Sequence, residues 1–270
     1  MAFLQVNYLS KALYREVPLN VILPADKLDF EMLTYSMKEG AKFKTLYLLH
    51  GLLGNYTDWV NFTRIQRWAE EKNLAVIMPS GDNAFYVDGA RGGSDYGIFI
   101  GEELVEVTRK MFPLSDKRED TFIAGLSMGG FGAIRNGLKY SETFSHVAGL
   151  SSAIHIFDEN IDHLEAEHHI FGNFAESAKT DMNPRVCAEN LVKEGRSMPK
   201  FYMSCGTADD LYDSNVSFRD YLKGKGADVV WYEEEAGHEW DFWDREIKKV
   251  LDWLPLEEKS MGVSSGNVKK

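Results

Sequence analysis

Short, wholly apolar runs alternate along most of this chain with longer stretches in which apolar residues return every three or four positions. The runs at 44–50 (KTLYLLH), 74–79 (LAVIMP), 121–126 (TFIAGL), 144–151 (FSHVAGLS) and 199–206 (PKFYMSCG) read as strands buried on both faces. Helical spacing links Phe62, Ile65 and Trp68/Ala69, then Ile100, Leu104, Val107 and Met111. It returns in GGFGAIRNGLKY, around 216–223, and at Trp243, Ile247, Val250/Leu251 and Leu254. The first thirty residues differ. FLQVNYL alternates in character and VPLNVILP (17–24) is β-branched, so the two predict a hairpin. With a last strand at 227–234 (ADVVWYEE), the pattern predicts an α/β fold: a mostly parallel, eight-stranded sheet with helices on both faces.

One connection breaks the rhythm. Nearly fifty residues separate Ser151 from Pro199, where a crossover needs far fewer. This segment, about 152–198, is expected to be a mostly helical insertion capping a single domain of residues 1–255. The polar remainder, 256–270, reads as a flexible tail.

Composition narrows the function classes. The chain has 270 residues and a net charge of −12. That balance excludes nucleic acid, which needs clustered cations to displace counterions, and anionic membrane surfaces. Two isolated cysteines, Cys187 and Cys205, make neither a disulfide framework nor a zinc site. No signal peptide or membrane-spanning run is recognisable, which leads to the expectation of a cytoplasmic protein. The pattern is compatible with a homo-oligomer, since exposed and buried apolar faces read alike in sequence.

Chemistry enters at Gly125-Leu126-Ser127-Met128-Gly129, a Gly-x-Ser-x-Gly pattern directly after an apolar run. In such a turn the glycines let strand and helix approach while the serine hydroxyl is pushed outward. Ligands of open parallel sheets bind beyond the carboxyl ends of the strands. Ser127 stands there, as do Asp209 and Asp210 after the run ending at Gly206, and His238 after the last strand. Serine, aspartate and histidine, in that order, are what nucleophilic acyl transfer on an α/β-hydrolase fold requires. The imidazole takes the hydroxyl proton and a carboxylate orients the imidazole. A strand ending in His50-Gly51 suggests Leu52 N–H as one oxyanion donor, with Met128 N–H as the other.

Several motifs together, LLHG, GLSMGGFGA, CGTADDLY and GHEWDFWD, resemble the esterase D-type branch of the α/β-hydrolases over about residues 2–255. That branch includes tributyrin-type esterases, S-formylglutathione hydrolases and feruloyl or acetylxylan esterases. The resemblance implies Ser127 as nucleophile, His238 as base and, through Gly206-Thr207-Ala208-Asp209, Asp209 as the acid. The expected activity is a serine carboxylesterase acting on a small-molecule ester, without metal or organic cofactor. Thioester hydrolysis and acyl transfer are alternatives on the same site, and a non-catalytic receptor is disfavoured by the intact triad.

The remaining features bear on substrate. Phe85, Tyr86 and Trp240 are candidate pocket residues, whereas Trp243 falls on the apolar stripe of its helix and reads as core. Within the insertion, Phe157, Leu164, Ile170 and Phe171 suggest a short, closed pocket selecting acetyl to butyryl groups. The same segment holds four histidines between positions 155 and 169, but none in a His-Glu-x-x-His arrangement, so no metal site is expected. DGARGGSDY lacks the lysine of a phosphate loop.

Overall fold

The computed structural model describes residues 1–26, 28–29, 34–35, 40–89, 94–158, 163 and 165–256. The 257–270 segment, expected to be a flexible tail, lies outside them, as does Leu164. The main sheet has eight strands: β1 (Ala2–Ser10), β2 (Arg15–Leu23), β3 (Thr45–Leu49), β4 (Ala75–Pro79), β5 (Thr121–Leu126), β6 (His146–Leu150), β7 (Lys200–Gly206) and β8 (Val229–Glu234). Their spatial order is β1-β2-β4-β3-β5-β6-β7-β8. β1 and β2 form the expected hairpin, β2 runs antiparallel to β4, and the remaining neighbours are parallel.

Two apolar clusters, one on each face, hold the sheet in place. Along β3, Leu46 and Leu48 enter one cluster while Tyr47 and Leu49 enter the other. β5 divides likewise, with Phe122, Ala124 and Leu126 opposite Ile123. This period of two, with both faces buried, is why these strands read as continuous apolar runs. Each fully buried aliphatic side chain contributes about 1.5–3 kcal/mol of burial.

On the Leu46 face lie α1 (Asp58–Phe62) and α2 (Ile65–Glu71). The opposite face is covered by α3 (Leu104–Met111) and α4 (Met128–Lys139). After β6 come a 3₁₀ turn (Ile154–Phe157), α5 (Glu165–Phe171), α6 (Phe174–Ser177) and α7 (Pro184–Lys193). α7 packs against α4, together with α8 (Tyr212–Gly224) on the same face, whereas α9 (Trp240–Trp253) returns to the Leu46 face. Part of the long connection is thus ordinary sheet cover, while the 3₁₀ turn, α5 and α6 bring Phe157, Phe171 and Phe174 together over Phe131 of α4.

Two helical patterns differ from the sequence reading. The helix expected through Phe62 is broken at Thr63-Arg64, and Phe62 is exposed. The face carrying Ile100 and Leu104 continues through Val105 and Thr108, while Met111 is exposed. A π-helical segment, Phe99–Glu103, precedes α3. Its wider turn rotates the following residues off a strict 3.6-residue stripe. Among the described residues no helix is long and apolar enough to cross a membrane. Cys187 and Cys205 are both unpaired and sealed in the interior, where burial pushes their thiols up to about 11 and about 12.

Candidate active site

β5 lies between β3 and β6, so the segments leaving those two strands flank the residue that follows β5. That residue is Ser127, with φ +53° and ψ −118°, a region that L-residues avoid. The turn is held from both sides: Ser127 N–H donates to Leu150 O at 2.9 Å, and Ala153 N–H donates to Ser127 O at 3.0 Å. Glycine is required twice. A Cβ on Gly125 would stand 2.2 Å from Gly129 O, and one on Gly129 would stand 2.4 Å from Leu49 O. No side chain fits between β5, α4 and the end of β3 at these separations.

The expected base and acid, His238 and Asp209, follow the last two strands of the sheet, β8 and β7. His238 Nε2 lies 3.0 Å from Ser127 Oγ, and His238 Nδ1 lies 2.8 Å from Asp209 Oδ2. A carboxylate only accepts, so Nδ1–H donates to it and Nε2 is left to accept the serine proton. The other Asp209 oxygen accepts Leu211 N–H at 2.9 Å. Burial works to raise the Asp209 carboxyl, but hydrogen bonds from His238 and Leu211 N–H, with the His238 charge, hold it below the usual range. Asp210 is exposed. Thr207 N–H donates to Glu234 O at 2.9 Å and Ala208 N–H to Ala236 O at 3.0 Å, which ties the loop of the acid to the loop of the base. Leu211 holds the N-cap position of α8 without a side-chain bond.

The turn after β3 comes up against the nucleophile. A Cβ on Gly51 would lie 3.5 Å from Ser127 Cβ. His50, 1% exposed, accepts Gly81 N–H at Nε2 (2.8 Å), which leaves Nδ1–H to donate to Gly51 O at 2.7 Å. Burial lowers its pKa and keeps it neutral, as these two bonds require. Tyr86 hydroxyl donates to His50 O at 2.9 Å, and Trp59 Nε1 donates to Leu49 O at the same distance. Among the described residues, neither Leu52 N–H nor Met128 N–H donates to a protein acceptor. Met128 also opens α4, whose dipole favours negative charge at that end.

The residues expected to line the pocket separate into groups. Tyr86 is 0% exposed and packs where a Cβ on Gly81 or Gly132 would stand, so it supports the β3 turn from below and lines no pocket. Phe85 and Phe171, each 2% exposed, meet Phe131 in edge-on contacts and form a sealed layer. Phe157 is half-buried and packs on Phe171 at 5.2 Å between centroids, so it carries the accessible ring of that layer. Trp240 belongs to the other face, stacked on Phe62 at 4.9 Å and edge-on to Trp59. Trp243 is core, as its stripe suggested, and its ring also meets His238 edge-on at 4.8 Å. His50 emerges as a site residue only from the structure, although the His-Gly pair was a signal for it. Among the described residues no group of three or more potential ligands could hold a metal ion.

Comparison with known proteins places the chain in a family. The family model described as "Putative esterase" matches residues 10–254. An acetyl esterase of Caldicellulosiruptor saccharolyticus is 40% identical over 263 residues, covering 94% of this chain and 98% of the relative. An S-formylglutathione hydrolase of Staphylococcus aureus superposes with a TM-score of 0.82 at 32% identity, over 94% of this chain and 98% of that one. A fluorophosphonate-binding serine hydrolase of the same organism, solved with substrate bound, gives 0.81 at 33% identity over the same shares. Together with the α/β-hydrolase strand order, these matches identify the chain as a member of the esterase family and a serine ester hydrolase.

Proposed function

We propose that the chain hydrolyses short-chain carboxylic esters through an acyl-enzyme on Ser127. His238 Nε2 takes the Ser127 proton as Oγ attacks the ester carbonyl. The oxyanion forms against Leu52 N–H and Met128 N–H, and Asp209 stabilises the imidazolium. His238 then gives the proton to the leaving alcohol, and water enters by the same steps to release the acid. Oxyanion donors of this kind are worth about 2.7–4 kcal/mol each where a side-chain donor has been removed. The observation that carries the reading is the continuous chain Asp209–His238–Ser127, at 2.8 and 3.0 Å, ending on a serine in a strained turn. A fluorophosphonate probe should label Ser127 alone; label found elsewhere by peptide mapping, or turnover retained in Ser127→Ala, would overturn it.

The short-chain preference rests on the closed aromatic layer of Phe85, Phe131, Phe157 and Phe171, and the acetyl esterase relative points the same way. Thioester hydrolysis is a second reading, favoured by the likeness to an S-formylglutathione hydrolase. Rates on acetyl, butyryl, octanoyl and feruloyl esters and on S-formylglutathione decide between them. A cytoplasmic setting suits two unpaired thiols, and the acidic charge suits a small-molecule substrate better than nucleic acid or a membrane surface.

A further inference from the structure

Two tight turns face each other on the β3 side of the nucleophile. The first runs Gly51-Leu52-Leu53-Gly54 and is closed by Gly54 N–H donating to Gly51 O at 3.2 Å. Its third residue, Leu53, has φ +63°, whereas Leu52 is not left-handed. A positive φ at that place alone marks a type II turn, a form that normally asks for glycine or asparagine there. Leu53 is 84% exposed, so packing of its side chain does not hold it in this conformation. The second turn runs Gly81-Asp82-Asn83-Ala84 and is closed by Ala84 N–H donating to Gly81 O at 3.2 Å. Here the positive φ, +45°, falls on the second residue, Asp82, as in a type II′ turn.

Two bonds join the turns. Leu53 N–H donates to Asn83 Oδ1 at 2.8 Å, and Gly81 N–H donates to His50 Nε2 at 2.8 Å. The second turn is anchored in its own right, because Asp82 Oδ2 accepts Arg15 of β2 at 2.6 Å and the Tyr96 hydroxyl at 2.5 Å. Asn83 therefore presents its acceptor from a braced loop, and what it holds is the middle peptide of the first turn. The rotation of that peptide separates type II from type I, and type I needs no positive φ. We propose that Asn83 is a positioning residue for the oxyanion: its side-chain carbonyl locks the 51–54 turn in the type II form and so sets the direction of Leu52 N–H. Leu52 N–H lies one residue before the held peptide. Before it comes Gly51, where a Cβ would stand 3.5 Å from Ser127 Cβ, so the turn meets the nucleophile at close range. A displacement of about 1 Å in such a group can cost about 10²-fold in rate. His50 and Tyr86 fix the start of the turn, and Asn83 fixes its far half.

This role rests on the acyl-enzyme reading with Leu52 N–H as an oxyanion donor, and the test separates the two. Asn83→Ala removes the acceptor and should lower kcat roughly ten- to a hundredfold with KM within about twofold, because the oxyanion forms only beyond the bound ground state. Methaneboronic acid forms a tetrahedral adduct on a serine hydroxyl, with an oxygen where the oxyanion would be. It should bind Asn83→Ala more weakly by a similar factor. Asn83→Asp keeps an acceptor of the same reach and should retain at least about a third of the wild-type kcat at physiological ionic strength, where an exposed carboxylate is screened. Adding Leu53→Gly to Asn83→Ala lets the turn take its positive φ freely and should restore kcat by about threefold or more. Wild-type kcat in Asn83→Ala, or a loss of kcat with unchanged boronic acid binding, would overturn the role. So would Asn83→Asp as slow as Asn83→Ala, or a double variant no faster than Asn83→Ala. Each of these leaves the parent reading standing while Ser127→Ala is inactive. Turnover by Ser127→Ala would remove the parent reading and this role with it.

Discussion

The two walls beside Ser127 are built by different physics. The wall from β3 is polar and saturated: His50 bridges Gly51 and Gly81, and Tyr86 and Trp59 cap the carbonyls of His50 and Leu49. The wall from the 3₁₀ turn, α5 and α6 is mostly aromatic: Phe157, Phe171 and Phe174 touch one another, Phe157 and Phe171 also touch Phe131, and His155 Nδ1 is buried with no partner among the described residues. Directed bonds fix atoms to fractions of an ångström. Ring packing tolerates substitution as long as volume is kept. The first wall therefore suits a turn that must aim backbone amides, and the second suits a surface that sorts substrates by size.

The contrast breaks first at the triad. Ser127→Ala should lose about 10⁴-fold or more in kcat with an unchanged circular dichroism spectrum. Asp209→Asn should cost on the order of 10⁴-fold, whereas Asp210→Asn, on an exposed side chain, should stay within about twofold. Steady-state kinetics on p-nitrophenyl acetate reads both; equal losses at 209 and 210 would refute the difference.

Next comes the rigid wall itself. Gly129→Ala places a Cβ 2.4 Å from Leu49 O and 2.5 Å from His50 O, both backbone atoms. It should cost at least about 3 kcal/mol, roughly 6 °C or more in melting temperature, and most of the activity. A variant that melts with the wild type would show that the turn yields.

Substitutions in the aromatic wall should change selectivity more than rate. Phe157→Ala should shift the chain-length optimum from acetyl or butyryl toward hexanoyl and octanoyl, by about fourfold for each methylene that newly fits. Phe171→Ala, one layer deeper, should do the same at a larger cost in stability. An unchanged profile in both would remove this wall from substrate choice.

The smallest effect lies far from the site. Burial, with Lys200, Arg118 and Lys44 nearby, lowers His146 to about 4. The unfolded chain, with a histidine near 6.5, takes up a proton that the folded chain refuses, so stability falls as pH drops from about 6.5 toward 4. The ring is part-exposed, and solvent screening reduces the effect to on the order of 1 kcal/mol. His146→Gln should lose less melting temperature than the wild type between pH 7 and pH 5; an equal loss would place the acid sensitivity elsewhere.

How much was readable beforehand follows from what each residue's signal depends on. Ser127, Asp209 and His238 carry their chemistry in their side chains, and each follows its own apolar run, so type and order suffice to nominate them. The sheet was readable because strands buried on both faces leave uninterrupted apolar runs. Val107 and Met111 were placed on a face by a 3.6-residue wheel, which the π-helical turn at Phe99–Glu103 does not obey. Tyr86 is an aromatic in a loop, a pattern that a pocket wall and a buried prop share until packing separates them.

The two sealed thiols offer a clock. A protonated, enclosed sulfur is inert to maleimide and to mild oxidants. Cys205 sits on β7, four residues before Asp209, and Cys187 lies in α7 against the nucleophile helix. Each becomes reactive only when its own element opens, so the two labelling rates time separate breathing events, one under the acid and one behind the nucleophile. An esterase of this construction carries its own stopwatch for local unfolding, with no engineered probe.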